Sequence, residues 1–201
     1  MGYVIDCDIQ KCFLLSFVMT PKILLWDNDG TIMGSKNPND PTKVILPGVL
    51  DAMEGADFNF VISGFASPES ESQDFDPDTV AARFINLMGE LPISAAAFSP
   101  LIGGVACFVV IKKPDGVFVI KKAHEEARYK NYIGHFKKPG VGMFVVMRDV
   151  AAEEFGVVVD RSSSVMIGDT WHDEAAASEF GVGFLNAHEV HHRAAKSGSC
   201  C

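Results

Sequence analysis

The chain has 201 residues, 48% of them hydrophobic and 21% charged, with a mean hydropathy of +0.17, the balance of one ordinary globular domain and not of a tail or fibre. Asp and Glu number 26 against 17 Lys and Arg, a formal charge of -9, which argues against a broad basic face for a nucleic-acid backbone but leaves room for a local basic pocket. No run reaches the roughly 18 to 20 uninterrupted apolar residues of a membrane-spanning helix, so no membrane partner is expected. Five scattered cysteines without a CxxC pair indicate neither a disulfide framework nor a zinc knuckle and fit a reducing, cytoplasmic setting.

Residues 1–21 read as an N-terminal extension. Cys12 to Val18 is apolar, but Asp6 and Asp8 precede it where a secretory signal needs a basic start. Met19 directly precedes Thr20-Pro21-Lys22, so residues 1–18 are either an extension upstream of an original start or an accessory element. The domain proper is expected over 22–196. Lys22 to Trp26 (KILLW) reads as a buried strand that delivers the carboxylate-rich loop Asp27-Asn28-Asp29-Gly30. Pro47-Gly48 opens a helical stretch to about Met53, and Phe58 to Ile62 (FNFVI) is a second strand ending in Ser63-Gly64.

Asp76 caps a helix over Thr79 to Met88, whose Val80, Phe84, Leu87 and Met88 form one stripe. Gly104 to Lys113 and Gly116 to Lys122 predict a β-hairpin turning at Asp115-Gly116, an elaboration of the domain. Lys138-Pro139 is expected at a helix opening, followed by a helix from about Met143 to Phe155 that stops at Gly156. Val157 to Asp160 reads as a short strand or its approach. Ser164 to Ile167 is a further strand ending in Gly168-Asp169, then come a helix over Asp173 to Phe180 and a last strand from Gly183. This alternation predicts an α/β fold with a doubly wound, Rossmann-like parallel sheet, and residues 197–201 read as a frayed tail.

In such sheets ligands bind beyond the carboxyl ends of the strands. Asp27 and Asp29, then Ser63, then Asp169 and Asp173 all fall at those ends, and Lys138 joins them from a helix-opening segment. Carboxylates, a hydroxyl and a lysine make a site for a hard divalent cation and a phosphate, with Mg²⁺ the expected cofactor. Asp27 would be the nucleophile that takes the phosphoryl group. Asp29 would protonate the leaving oxygen and then activate water.

Trp26-Asp27-Asn28-Asp29-Gly30-Thr31 resembles the first motif of the haloacid dehalogenase-like (HAD) phosphatases, an apolar strand followed by D-x-D-G-T. Val61-Ile62-Ser63-Gly64, Lys138-Pro139 and Gly168-Asp169-Thr170-Trp171-His172-Asp173 resemble the second, third and fourth motifs, in the family's order, over about residues 22–186. The resemblance implies that Asp27 is nucleophile and Mg²⁺ ligand. It implies that Asp29 is general acid and base with a metal-binding carbonyl, and that Ser63, Gly64 and Lys138 hold the phosphoryl group. Asp169 would ligate the metal, with Asp173 and Thr31 in support.

The short interval 32–62 has no room for a helical cap, so a nearly capless enzyme is expected, with the hairpin at about 104–122 in place of a cap domain. Lys138 to Met143 is similar to the K-P-x-P-G-M segment of the histidinol-phosphate and heptose-bisphosphate phosphatases and the polynucleotide 3'-phosphatases, but its second proline is missing. The Cys/His zinc loop of several relatives is absent as well. The expected activity is hydrolysis of phosphomonoesters on a phosphorylated small molecule or on an exposed phosphate of a larger substrate. The alternative is a non-catalytic HAD-fold protein that binds Mg²⁺ or a phosphorylated partner.

Lys112, Lys113, Lys121, Lys122, His124, Arg128, Lys130, His135, Lys137 and Lys138 gather positive charge beside Phe108, Phe118, Tyr129, Tyr132 and Phe136. That segment reads either as an anion- and base-binding surface or, the favoured reading, as solvated faces with small-cluster core. Lys137 reads as a solvated neighbour of Lys138, and His172, His188, His191 and His192 as surface residues.

Overall fold

The computed structural model describes residues 22–34, 44–64, 76–99 and 103–197. Expectations about residues 1–21 and 198–201, and about the cysteines at 7, 12, 200 and 201, lie outside the described residues. One seven-stranded sheet organises the chain: β1 (Ile23–Trp26), β2 (Phe58–Ser63), β3 (Ala95–Phe98), β4 (Phe108–Lys112), β5 (Phe118–Lys122), β6 (Ser164–Gly168) and β7 (Gly183–Asn186). Their order across the sheet is β5-β4-β3-β2-β1-β6-β7. β3, β2, β1, β6 and β7 run parallel, while β4 and β5 are antiparallel. The sheet is therefore mostly parallel. The hairpin read as an elaboration is built into it, with Ala95↔Ile111 to Phe98↔Phe108 joining β4 to β3.

Every residue of β1 is buried, as a strand covered on both faces requires. Ile23 and Leu25 pack into one apolar layer with Phe60, Ile62, Met143, Met147 and Ala176. Leu24 and Trp26 alternate into the other, with Val61, Val49, Met53, Phe84 and Val190. Thus α3 (Gly142–Phe155) and α4 (Trp171–Phe180) cover one face, and α1 (Val49–Glu54), α2 (Pro77–Glu90) and α5 (Ala187–Ser197) the other.

One polar side chain is built into the second layer. Asn59 accepts from Trp26 Nε1 at 3.0 Å and donates from Nδ2 to the carbonyls of Met53 (2.9 Å) and Pro92 (3.2 Å). It gives the buried Trp26 indole its partner and ties β1, β2, α1 and the approach to β3 together.

Several expectations change. β3 and α5 were not anticipated. Of the two readings of Val157 to Asp160, a short strand or its approach, the structure has the approach to β6: the chain leaves Gly156 in the left-handed region and runs over the α3 layer with Val157 and Val159 buried. Pro139 lies in a turn, and α3 begins three residues later at Gly142.

The basic and aromatic segment resolves into structure. Phe108, Tyr129 and Phe136 are buried. Lys113 and Lys121 both pair with Glu154 of α3, Arg128 with Glu153 and Glu126, and Lys112 Nζ donates to the Met88 carbonyl. Most of its charge is committed within the domain. No described helix is long and apolar enough to cross a membrane.

Candidate active site

Strand order reverses at β1: from it the chain passes to β2 and β3 on one side and later to β6 and β7 on the other. Loops leaving adjacent strands in opposite directions open a crevice at that point. The Asp27 N–H extends the β1–β6 ladder by donating to the Ile167 carbonyl at 2.9 Å, and Ser63 is the last residue of β2. A cleft of about 250 Å³ opens there, lined by Asp27, Asp29, Ser63, Gly64, Lys137, Lys138, Asp169, Thr170, His172 and Asp173.

The loop after β1 is a tight turn. The Asn28 carbonyl accepts from Ile32 and Met33 N–H, each at 3.0 Å, and Gly30 turns the chain at φ 88°, where a side chain would be strained. Asn28 Nδ2 donates to Asp29 Oδ1 at 3.1 Å and orients that half-buried carboxylate. Thr31 is buried outside the cleft lining, and its carbonyl faces the His191 ring Nε2 at 3.0 Å.

Lys138 is buried and joins two carboxylates. Its Nζ donates to Asp27 Oδ1 at 2.6 Å and also to Asp173 Oδ1. Asp173 Oδ2 accepts from Thr170 N–H (3.1 Å) and Thr170 Oγ1 (2.7 Å), completing the capping box that starts α4. Both Asp173 oxygens are thereby engaged, so this residue fixes Lys138 and the start of the helix together. A Cβ on Gly168 would run into Asp173 Cβ and Cγ. Glycine at that position lets the helix start close against the end of β6.

Burial is the largest influence on the Asp27 carboxyl and raises it to about 6. Lys138 pulls against the rise, while Asp173 and Asp169 add to it. For Lys138 burial lowers the affinity for a proton, but the charges and hydrogen bonds of Asp27 and Asp173 outweigh it, and the ammonium is held above its ordinary range.

Asp27, Asp169 and Asp173 can each bring one carboxylate oxygen within 4.8 Å of the others. This hard oxygen set fits Mg²⁺. Because Lys138 and Thr170 engage both oxygens of Asp173, Asp27 and Asp169 are the side chains of this set that would hold an ion. Four carboxylates against two ammonium groups line the cleft, so a phosphate dianion entering it needs added positive charge.

The structure brings Asp27, Asp29, Ser63, Gly64, Lys138, Asp169 and Asp173 to one cleft. It adds Lys137, Thr170 and His172. Lys137, read as a solvated neighbour, passes over Gly64, where a Cβ would lie 3.7 Å from its Cγ. His172, read as a surface residue, is half-buried in the wall. Both lie next to motif residues, and that adjacency was the signal available in the sequence. His188 and His192 are exposed.

No family model matches the chain, and no curated protein matches it. A solved structure with a similar fold is D,D-heptose 1,7-bisphosphate phosphatase from B. bronchiseptica, complexed with magnesium and phosphate. Identity is 17% over 89% of this chain and 87% of that chain, with a TM-score of 0.45.

Proposed function

We propose that this chain is a Mg²⁺-dependent phosphomonoester hydrolase acting through Asp27. The observation that carries the reading is the buried Asp27–Lys138–Asp173 chain at the meeting point of β1, β2 and β6, with Asp29 and Asp169 in the same cleft. An acidic cleft holding a buried lysine is arranged for a phosphoryl group accompanied by a cation. Lys138 and the Ser63 hydroxyl hold the phosphoryl oxygens. Mg²⁺, held by Asp27 and Asp169 and, as the motif resemblance implies, by the Asp29 carbonyl, supplies the positive charge that offsets the surrounding carboxylates.

Asp27 attacks phosphorus with one carboxylate oxygen, the bond from phosphorus to the alcohol oxygen breaks, and Asp29 gives that oxygen its proton. The resulting aspartyl-phosphate is cleaved by water, whose proton Asp29 accepts. Phosphate leaves, and Asp27 and Asp29 return to their starting states. Asn28, bonded to the Asp29 carboxylate, keeps the acid aimed into the cleft.

The test is phosphate release from a panel of sugar, nucleotide, nucleic-acid and peptide phosphomonoesters with Mg²⁺ and with EDTA. Wild type should release phosphate only with Mg²⁺, and Asp27→Asn should lower kcat by at least about a thousandfold, the scale of loss when a covalent nucleophile is removed. Full activity in Asp27→Asn overturns the nucleophile. Silence on the whole panel with Mg²⁺ binding intact favours a non-catalytic binding protein.

A further inference from the structure

Of the aromatic residues that the sequence offered for stacking, Phe108, Tyr129 and Phe136 are core, and Phe118 and Tyr132 are partly buried against it. Another one stands in the open. Trp171, the first residue of α4, is 65% exposed, and its indole stacks on the His172 imidazole with ring centroids 3.9 Å apart and planes 28° from parallel. His172 lines the cleft, as do Thr170 and Asp173 on either side of the pair. His172 is thus part of the cleft wall and Trp171, stacked on it, stands just outside the lining, the two rings making a ledge at the rim, while the other tryptophan, Trp26, is fully buried and hydrogen-bonded.

The ledge is not explained by folding. Thr170 and Asp173 start α4 between them, and an indole so exposed adds little to the core. The cleft, at about 250 Å³, is smaller than the roughly 300–1,000 Å³ of pockets that enclose a whole ligand. It takes the phosphoryl group and the atoms next to it, and the rest of the leaving alcohol crosses the rim. A flat aromatic face at such a rim recognises another flat ring, by stacking that tolerates different ring identities.

Resting on the phosphomonoester reading above, we propose that Trp171 and His172 are the specificity ledge of this site, and that the substrate is a phosphomonoester whose alcohol carries a planar aromatic ring, as a nucleoside monophosphate does.

Two measurements test it separately from hydrolysis itself. In the first, kcat and KM are compared for adenosine 5′-monophosphate and the ringless glycerol 2-phosphate, with Mg²⁺. Trp171→Ala should lower the ratio of their kcat/KM values by about five- to 150-fold, carried by KM for the nucleotide, and Trp171→Phe should restore most of it. In the second, Asp27→Asn, which blocks turnover, is titrated with each compound while tryptophan fluorescence is read. Saturable quenching by the nucleotide alone, absent when Trp171→Phe leaves only Trp26, supports the ledge. Turnover of glycerol 2-phosphate without the nucleotide, an unchanged ratio, or no nucleotide-specific quenching overturns it. Wild type that hydrolyses neither compound counts against the hydrolase reading, and the fluorescence titration still decides the ledge.

Discussion

Asp27 is held in a state that opposes its own ionisation. Its carboxyl sits at about 6, well above the ordinary 3.8, chiefly because it is buried, so the folded chain keeps a proton there that the unfolded chain has released. Between about pH 4 and 6 this group makes stability fall as pH rises, and above 6 the full penalty is present. In EDTA at pH 7, Asp27→Asn should therefore raise the melting temperature over wild type, and the difference should shrink as pH approaches 4. Thermal scans across that range check it; a destabilised Asp27→Asn at pH 7 would show that the pairing with Lys138 outweighs burial. The same sign governs activity. In the proposed mechanism attack needs ionised Asp27, so at low Mg²⁺ kcat/KM should fall as pH drops through about 6, and saturating Mg²⁺, by favouring the charged form, should move that limb to lower pH.

At the scale of elements, the hairpin β4–β5 is attached to the parallel sheet along β3, and Glu154 of α3 pins it through two ion pairs. Glu154 accepts from Lys121 Nζ at 2.8 Å and from Lys113 Nζ, and these two hydrogen bonds hold its carboxyl below the usual carboxylate range. A depressed carboxylate contributes stability above its unfolded value and loses it as pH falls through the folded one. Since all three side chains are partly exposed, Glu154→Gln should cost only about 0.5–1 kcal/mol. Hydrogen exchange should show the loss in β5 and not in β1, and uniform exchange across the sheet would contradict the local pinning.

The strands that carry the site were legible because KILLW, FNFVI and SVMI are short apolar runs that stop at Asp, Ser or Gly. β3 was missed because Ala95-Ala96-Ala97 offers neither β-branched side chains nor alternation, and only pairing with β2 makes it a strand. Likewise α5 begins with Ala187 and continues with three histidines, and its buried Ala187 and Val190 gain meaning only once α1 lies beside them. Asp27, Asp29 and Asp169 were legible as motif residues. Trp171 was not, since a sequence cannot tell an exposed ring from a core one.

For the whole molecule, the cleft joins segments from the start, middle and end of the domain, so an ion bound there links them. Mg²⁺ at about a hundred times its dissociation constant should stabilise the fold by about 2.7 kcal/mol, which is a rise of roughly 5–10 °C in Tm for a domain of this size. Asp169→Asn should abolish most of that rise, whereas Glu154→Gln should keep it; an equal Mg²⁺ response in Asp169→Asn would move the ion elsewhere. The central place of β1 has a further consequence for synthesis. Its second ladder partner is β6, at Ser164–Gly168, and Lys138 follows Asp27 by 111 residues. While the ribosome is still adding those residues, Ile23–Trp26 is an edge strand, apolar on both faces and with one row of backbone groups unpaired. The strand that carries the proposed nucleophile is thus also the segment a nascent chain leaves open longest to chaperones and to mispairing.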